Sequence, residues 1–301
     1  MEAAQAPNLL GIDWGTSNRR AWWLDAAGKV LAAHADAQGL LAVQGRFAES
    51  LQALLAQGPA LASDAPIVMS GMVGSASGWR EVPYLDAATP LTDIRWHLAP
   101  VPAAERPAFI VPGMCFVGAD GSIDVMRGEE SQLLGAHALG HGDGWYVLPG
   151  THCKWVRLQA GRVADLATYM TGELFSLLTQ QGTLSSVTRE GDADPQAFAR
   201  GVAAAGRSGL SNALFGCRAQ VVSGRLPAAQ AREYLSGLLI GAEWHDVLRR
   251  SGSAPASVTV IGSAQLAERY ATVGAMFDCR VAALDARSVQ VAALQALRPT
   301  N

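Results

Sequence analysis

An α/β protein of two similar lobes is predicted by three features of the chain. Short apolar runs bounded by Gly or Pro alternate with stretches of helical spacing, the opening strand–turn–strand pattern recurs near the middle, and no low-complexity linker separates the halves. Residues 8–13 form an apolar run ending near Gly15, and further runs over residues 19–25 and 29–35 complete a three-strand meander. Residues 47–56 have helical spacing, whereas residues 67–72 and 109–112 read as buried strands. A loop carrying Gly118, Asp120 and Gly121 leads to a helix over residues 128–139. The meander then returns. Residues 145–149 end in Gly150-Thr151, a second strand covers residues 153–158, a turn falls at Ala160-Gly161, and a third strand covers residues 162–169. Gly15 and Gly28 are thirteen residues apart in the first copy, and Gly150 and Gly161 are eleven apart in the second. The remainder reads as helices over 195–207 and 227–250, a strand over 257–262, a helix over 264–272, a strand over 280–283 and a helix over 286–297. The lobes are expected over residues 1–126 and 127–301, with helix 128–139 as a connector that opens the second.

Composition narrows the ligand. Half of the 301 residues are hydrophobic, enough for two cores, and a formal net charge of -3 offers no clustered cations for nucleic acid or an acidic membrane. A small molecule is expected. No window reaches the roughly 18 uninterrupted apolar residues of a membrane span, and residues 1–8, a ragged tail, lack the apolar run of a signal peptide, so the expected compartment is the cytoplasm. Cys115, Cys153, Cys217 and Cys279 are spaced too widely for a CxxC pair or zinc knuckle and read as reduced thiols. His137 and His141 have metal-pair spacing but no third ligand nearby, so they read as residues of a helix end. The apolar segment 234–242 reads either as core or as a homodimer contact.

The chemistry gathers at the repeated turns. Asp13-Trp14-Gly15-Thr16-Ser17-Asn18 joins a carboxylate at a strand end to a tight turn of Gly and small hydroxyls. Such a turn offers N–H and side-chain donors to phosphate, and the carboxylate suits a hydrated Mg²⁺ bridging those phosphates. Alone it reads better as a plain hairpin. The second copy, Pro149-Gly150-Thr151-His152-Cys153-Lys154, favours a phosphate grip from two sides, with Lys154 as the cation that offsets charge in phosphoryl transfer. His152 reads as a phosphate or substrate contact or as a brace of the turn, and Cys153 as packed strand.

These segments, with a late apolar strand ending at Gly262-Ser263, resemble the sugar kinase, actin and heat-shock ATPase superfamily. In particular, Ile12 to Asn18, Ser70-Gly71-Met72-Val73-Gly74-Ser75 and Val125-Met126-Arg127-Gly128-Glu129-Glu130 resemble the 2-dehydro-3-deoxygalactonokinase family. So do Leu148 to Trp155, Met170-Thr171-Gly172-Glu173-Leu174 and Leu235-Ser236-Gly237-Leu238-Leu239-Ile240-Gly241-Ala242-Glu243, in order along nearly the whole chain. The late strand departs from the expected Gly-Thr-Ser, reading Ile261-Gly262-Ser263-Ala264.

The resemblance implies a two-lobed actin-like (ribonuclease H-like) ATPase fold, each lobe a mixed sheet with flanking helices, with a central nucleotide cleft. It implies a first phosphate loop at Gly15, Thr16, Ser17 and Asn18, a second at Gly150, Thr151, His152 and Lys154, and an adenosine loop at Gly262 and Ser263. The implied reaction is transfer of phosphate from ATP, with Mg²⁺ on Asp13 through water, to the terminal hydroxyl of 2-dehydro-3-deoxygalactonate, in galactonate breakdown. Glu129 and Glu130, at a connector-helix start similar to that of the base in related kinases, are the candidates for general base, and an acidic helix start is their structural alternative. Arg127 suits the acceptor carboxylate through bidentate hydrogen bonds, or equally a pairing with a surface Glu. Ser70, Gly71, Met72 and Trp79 suit a polyol or equally a flexible loop covering the strand that ends at Met72, and Thr171 reads chiefly as an N-cap with Glu173 in the first turn, both with substrate contact as an added role. A kinase for another sugar or sugar acid, or a nucleotide-binding regulator without catalysis, shares the phosphate turns, and the Glu129–Glu130 pair argues for an enzyme.

Overall fold

The computed structural model describes residues 6–102 and 106–299, so residues 1–5 of the expected tail lie outside the described residues. In chain order the elements are β1 (Leu9–Trp14), β2 (Arg19–Leu24), β3 (Val30–Asp36), α1 (Leu40–Val43), α2 (Phe47–Leu55), β4 (Ile67–Gly71), β5 (Leu85–Asp86), β6 (Ala99–Pro100), β7 (Ala108–Ile110), β8 (Met114–Val117), β9 (Ile123–Met126) and α3 (Glu129–Ala138). There follow β10 (Gly144–Leu148), β11 (Cys153–Gln159), β12 (Arg162–Tyr169), α4 (Thr171–Gln180), α5 (Gly182–Ser185), α6 (Pro195–Ala205), α7 (Leu210–Val222), α8 (Ala231–Ser251), β13 (Ser257–Gly262), α9 (Ala264–Met276), β14 (Arg280–Asp285) and α10 (Ala286–Ala296).

Two compact units emerge. Unit 1 holds residues 1–143, 156–166 and 284–301, and unit 2 holds residues 144–155 and 167–283. Helix α3, the expected connector, groups with unit 1, and so does the C-terminal helix α10. The six-stranded sheet runs β3-β2-β1-β4-β7-β6 and the five-stranded sheet β12-β11-β10-β13-β14, so the order third, second, first, fourth is common to both. That shared order is the repeat expected from the two Gly-Thr meanders. In each sheet the first meander strand pairs in parallel with the fourth: β1 with β4, and β10 with β13. A separate small sheet, β5-β8-β9, flanks the Gly118–Gly121 turn and was not expected from the sequence.

Strand β1 is apolar at nearly every position because both of its faces are covered. Leu10, Ile12, Trp14, Trp23, Phe47 and Met69 form the core of unit 1. In unit 2, Val147, Trp155, Ile240, Trp244, Val260 and Tyr270 form the core. Trp22, Trp23 and Trp155 are buried packing residues. Among the described residues, no helix is long and apolar enough to cross a membrane.

Candidate active site

In unit 1 the β1–β2 turn leaves Thr16, Ser17 and Asn18 exposed, closed by a hydrogen bond from the Gly15 N–H to the Asn18 carbonyl at 2.9 Å. The start of α1 locks the turn from behind, where the Leu40 and Leu41 N–H groups donate to the Gly15 and Thr16 carbonyls at 2.9 and 3.1 Å. Asp13 stands two residues before the glycine, opposite Ser70 in the parallel β1–β4 register. Burial pushes its carboxyl up, partly offset by the Arg20 guanidinium 3.3 Å away. Gly71, at φ +89°, lies against it: a Cβ there would stand 3.5 Å from Asp13 Oδ1 and 2.8 Å from the Trp14 carbonyl. Among the described residues no group of three or more His, Cys, Asp or Glu side chains forms a metal cage. A lone carboxylate beside side-chain-free backbone fits Mg²⁺, which keeps waters and shares phosphate oxygens, better than a cation needing an all-protein shell.

Strand β4 delivers the Ser70-Gly71-Met72 segment. Ser70 is buried, and its hydroxyl is engaged, donating to the Ile12 carbonyl at 3.4 Å and accepting from Gln290 Nε2 of α10 at 3.2 Å. Met72 is half-buried in the turn that follows. Trp79 stacks on Phe47 at 6.1 Å and lines a cavity of about 270 Å³ with Leu51, Leu55 and Arg106, a cavity that contains none of Asp13, Arg127 or Glu129.

Strand β9 ends at Met126 and α3 begins at Glu129, with Gly128 at φ +113° making the corner. Both carboxylates fold back over this corner. Glu129 Oε2 accepts the Arg127 N–H at 3.0 Å, and Glu130 Oε2 accepts the Gly128 N–H at 2.7 Å. Glu129 is half-buried and Glu130 wholly enclosed. Burial first, and the Glu129 charge second, push the Glu130 carboxyl up to about 8. Arg127 donates from Nη2 to the Val82 carbonyl at 2.7 Å and lies over the Tyr84 ring at 4.2 Å. Its Nε and Nη1 are buried without a hydrogen-bond partner.

In unit 2 the β10–β11 turn exposes Gly150, Thr151 and His152. The start of α4 closes on it: the Glu173 N–H donates to the Thr151 carbonyl at 2.9 Å, and Glu173 Oε2 meets His152 Nε2 at 2.7 Å. Lys154 is buried on β11 and donates to Thr168 Oγ1 at 2.9 Å. Thr171 is the first helical residue, not the expected N-cap: Met170 takes that position, and the Thr171 hydroxyl donates to Glu243 of α8 without accepting from a helix-start N–H. Ser263 caps α9 by accepting the Leu266 N–H at 3.3 Å, and Gly262 packs on Pro149.

A cavity of about 380 Å³ lies within this unit, walled by Gly150, Thr171, Arg232, Glu233, Gln265 and Arg269 among others. Arg269 holds Glu233 through two contacts of 2.8 and 3.0 Å and also reaches Ser236 Oγ at 3.0 Å. Sequence reasoning had Gly150 and Thr171 but missed Arg232, Glu233, Gln265 and Arg269. The Leu235 to Glu243 motif marked the neighbourhood without disclosing its chemistry.

Sheet order and the duplicated phosphate-type turns define the actin-like ATPase class. The activator of the 2-hydroxyisocaproyl-CoA dehydratase from Clostridium difficile shares this fold, with a TM-score of 0.50 at 11% identity, covering 96% of this chain and 92% of that one. Residues 13–297 match the model of the family described as 2-keto-3-deoxy-galactonokinase, and the chain belongs to that family. The 2-dehydro-3-deoxygalactonokinase of Escherichia coli (strain K12) is 36% identical over 285 residues, 91% of this chain and 92% of its own. A relative from Rhizobium meliloti (strain 1021) carrying the same kinase name is 38% identical over 292 residues, 95% of this chain and 94% of its own. The crystal structure of a Sinorhizobium meliloti protein assigned to the same kinase matches with a TM-score of 0.88 at 35% identity, over 96% of this chain and 95% of that one.

Proposed function

We propose that this chain transfers the γ-phosphoryl group of ATP to the terminal hydroxyl of 2-dehydro-3-deoxygalactonate, releasing ADP and the 6-phosphate. The observation that carries the acceptor class is Arg127, whose buried Nε and Nη1 lack partners two residues from a carboxylate pair. A carboxylate accepts charge-assisted hydrogen bonds from guanidinium N–H groups, roughly twice as strong as those that a neutral hydroxyl accepts, so it offsets the burial of these donors better than a neutral sugar does. An acid is therefore favoured over a simple hexose.

The two glutamates divide the work by environment. Glu129, half-buried and oriented by the Arg127 N–H, accepts the hydroxyl proton as the oxygen–phosphorus bond forms and the bond to ADP breaks. Glu130, enclosed and raised to about 8, holds a proton near neutral pH and braces the Gly128 corner. The exposed donors of the Gly15 and Gly150 turns bind phosphate oxygens, and the 380 Å³ cavity of unit 2 takes the nucleoside. Asp13 would hold hydrated Mg²⁺, which when bound neutralises phosphate charge. ATP supply makes the cytoplasm the compartment of this reaction.

The test is ADP release with Mg²⁺ against 2-dehydro-3-deoxygalactonate, its gluconate epimer, glycerol and common hexoses. Turnover confined to the dehydro-deoxy acids is expected, and equal turnover of hexoses would overturn the assignment of the acceptor.

A further inference from the structure

Among the buried ionisable groups that the proposed reaction does not use is Glu243. Glu243, 1% exposed in the middle of α8, accepts hydrogen bonds from four side chains on three other elements. Trp155 Nε1 donates to Oε2 at 2.8 Å, Tyr270 Oη at 2.7 Å and Cys153 Sγ at 3.2 Å, while Thr171 Oγ1 donates to Oε1. Cys153 opens β11 directly after the Gly150 turn, Thr171 opens α4, and Tyr270 lies on α9. Cys153, Thr171 and Tyr270 also line the 380 Å³ cavity, whereas Glu243 does not. One carboxylate thus gathers three separate walls of one cavity from behind.

We infer that Glu243 is a positioning residue for the nucleotide, holding the start of α4 and the exit of the Gly150 turn at the separation the cavity requires. The inference rests on the reading that this cavity takes the nucleoside. Its physical basis is convergence: four donors and two carboxylate oxygens satisfy one another, and buried polar groups stay where their partners are. A structural carboxylate with no bearing on the ligand would need no common boundary with the cavity. Here three of its four partners line it.

The experiment is direct ADP titration by calorimetry, with separate KM values for ATP and for the acceptor acid, on wild type, Glu243→Gln, Glu243→Leu, Thr171→Val and Tyr270→Phe. Gln retains an acceptor toward Trp155 and Tyr270 and offers its amide to Thr171, so ADP binding within about threefold of wild type is expected. Leu should weaken ADP and raise the KM for ATP by about tenfold or more, leaving the KM for the acid within about twofold. Thr171→Val and Tyr270→Phe should each weaken ADP by about three- to tenfold, and they decide the matter if Glu243→Leu does not fold. Unchanged ADP affinity in both, with only the melting temperature lowered, would reduce Glu243 to a stabilising group and overturn the inference. Wild type failing to bind ADP would instead refute the nucleotide reading of the cavity, and the inference with it.

Discussion

The two Gly-Thr hairpins use the same construction and opposite electrostatics. In each, a helix start closes on the turn through backbone hydrogen bonds, Leu40 and Leu41 on the first and Glu173 on the second. In each, a glycine permits the approach: a Cβ on Gly39 would overlap the Thr16–Ser17 backbone, and one on Gly172 the Gly150 carbonyl. The residue that opens the second strand then differs. Arg19 opens β2 as a buried cation held by Asp36 at 2.6 Å and by the Ser50 carbonyl at 2.9 Å, in the unit where the turn is preceded by Asp13. Cys153 opens β11 on the buried carboxylate Glu243, in the unit whose turn carries His152 and is followed by Lys154. A duplicated backbone fixes where the turn donors point, and the charge set around each copy differs.

The largest break in this comparison comes from the residue two places before each glycine. Asp13→Ala should lower kcat by about a thousandfold, because it removes the carboxylate proposed to hold the metal. Leu148→Ala, at the same place in the second copy, should cost about 2–5 kcal/mol of stability with no comparable loss of kcat in the folded fraction, measured by denaturant unfolding beside turnover. Equal kinetic losses would erase the distinction between the hairpins.

Next in size is the glutamate pair. Glu129→Gln should reduce kcat by about a hundredfold or more and Glu130→Gln by much less, and the reverse order in single-turnover kinetics would exchange their roles. The paired glycines sharpen the likeness: Gly39→Ala and Gly172→Ala should each raise the KM for ATP by about tenfold, and a response from only one would show that only one turn grips the nucleotide. The smallest effect is in pH. Glu130 is raised from 4.5 to about 8 in the folded protein, so the folded state binds the extra proton between those values. Its contribution to stability is present below about pH 4.5 and is lost progressively up to about 8. The wild-type melting temperature should therefore fall more steeply than that of Glu130→Gln from pH 5 to 8, and parallel curves would count against a buried, protonated Glu130.

Much of this was legible in the sequence where one local rule governs. Each meander strand fell within two residues of its expected bounds, because apolar runs punctuated by Gly leave few alternatives. Glu129 and Glu130 stood out as a pair at a helix start, and that is where they lie. Helix α7 and the small β5-β8-β9 sheet were not legible: only Ala213 and Cys217 of α7 are buried, and Ile123 and Val125 face outward, so neither shows a clean apolar stripe. Nor was the commitment of the Ser70 hydroxyl, whose partner Gln290 is 220 residues away. Glu243 looked like an ordinary helix residue because its four partners come from positions 153, 155, 171 and 270. Periodicity reports which face is buried, not which buried side chains meet.

Helix α10 gives the chain an unusual order of assembly. Leu294 lies against Gly11 of β1, and Gln295 Nε2 reaches the Ala27 carbonyl at 3.2 Å, so the first meander is sealed by a helix synthesised after all of unit 2. Vectorial synthesis ordinarily lets the amino-terminal portion of a protein finish first. Here the portion translated first must wait, the face of β1 and β4 that α10 covers still open, until residue 297 has left the ribosome, while unit 2 has all of its residues by position 283. Helix α10 is thus the latch of unit 1, and the nascent chain is most vulnerable to aggregation and proteolysis in the interval before that helix arrives.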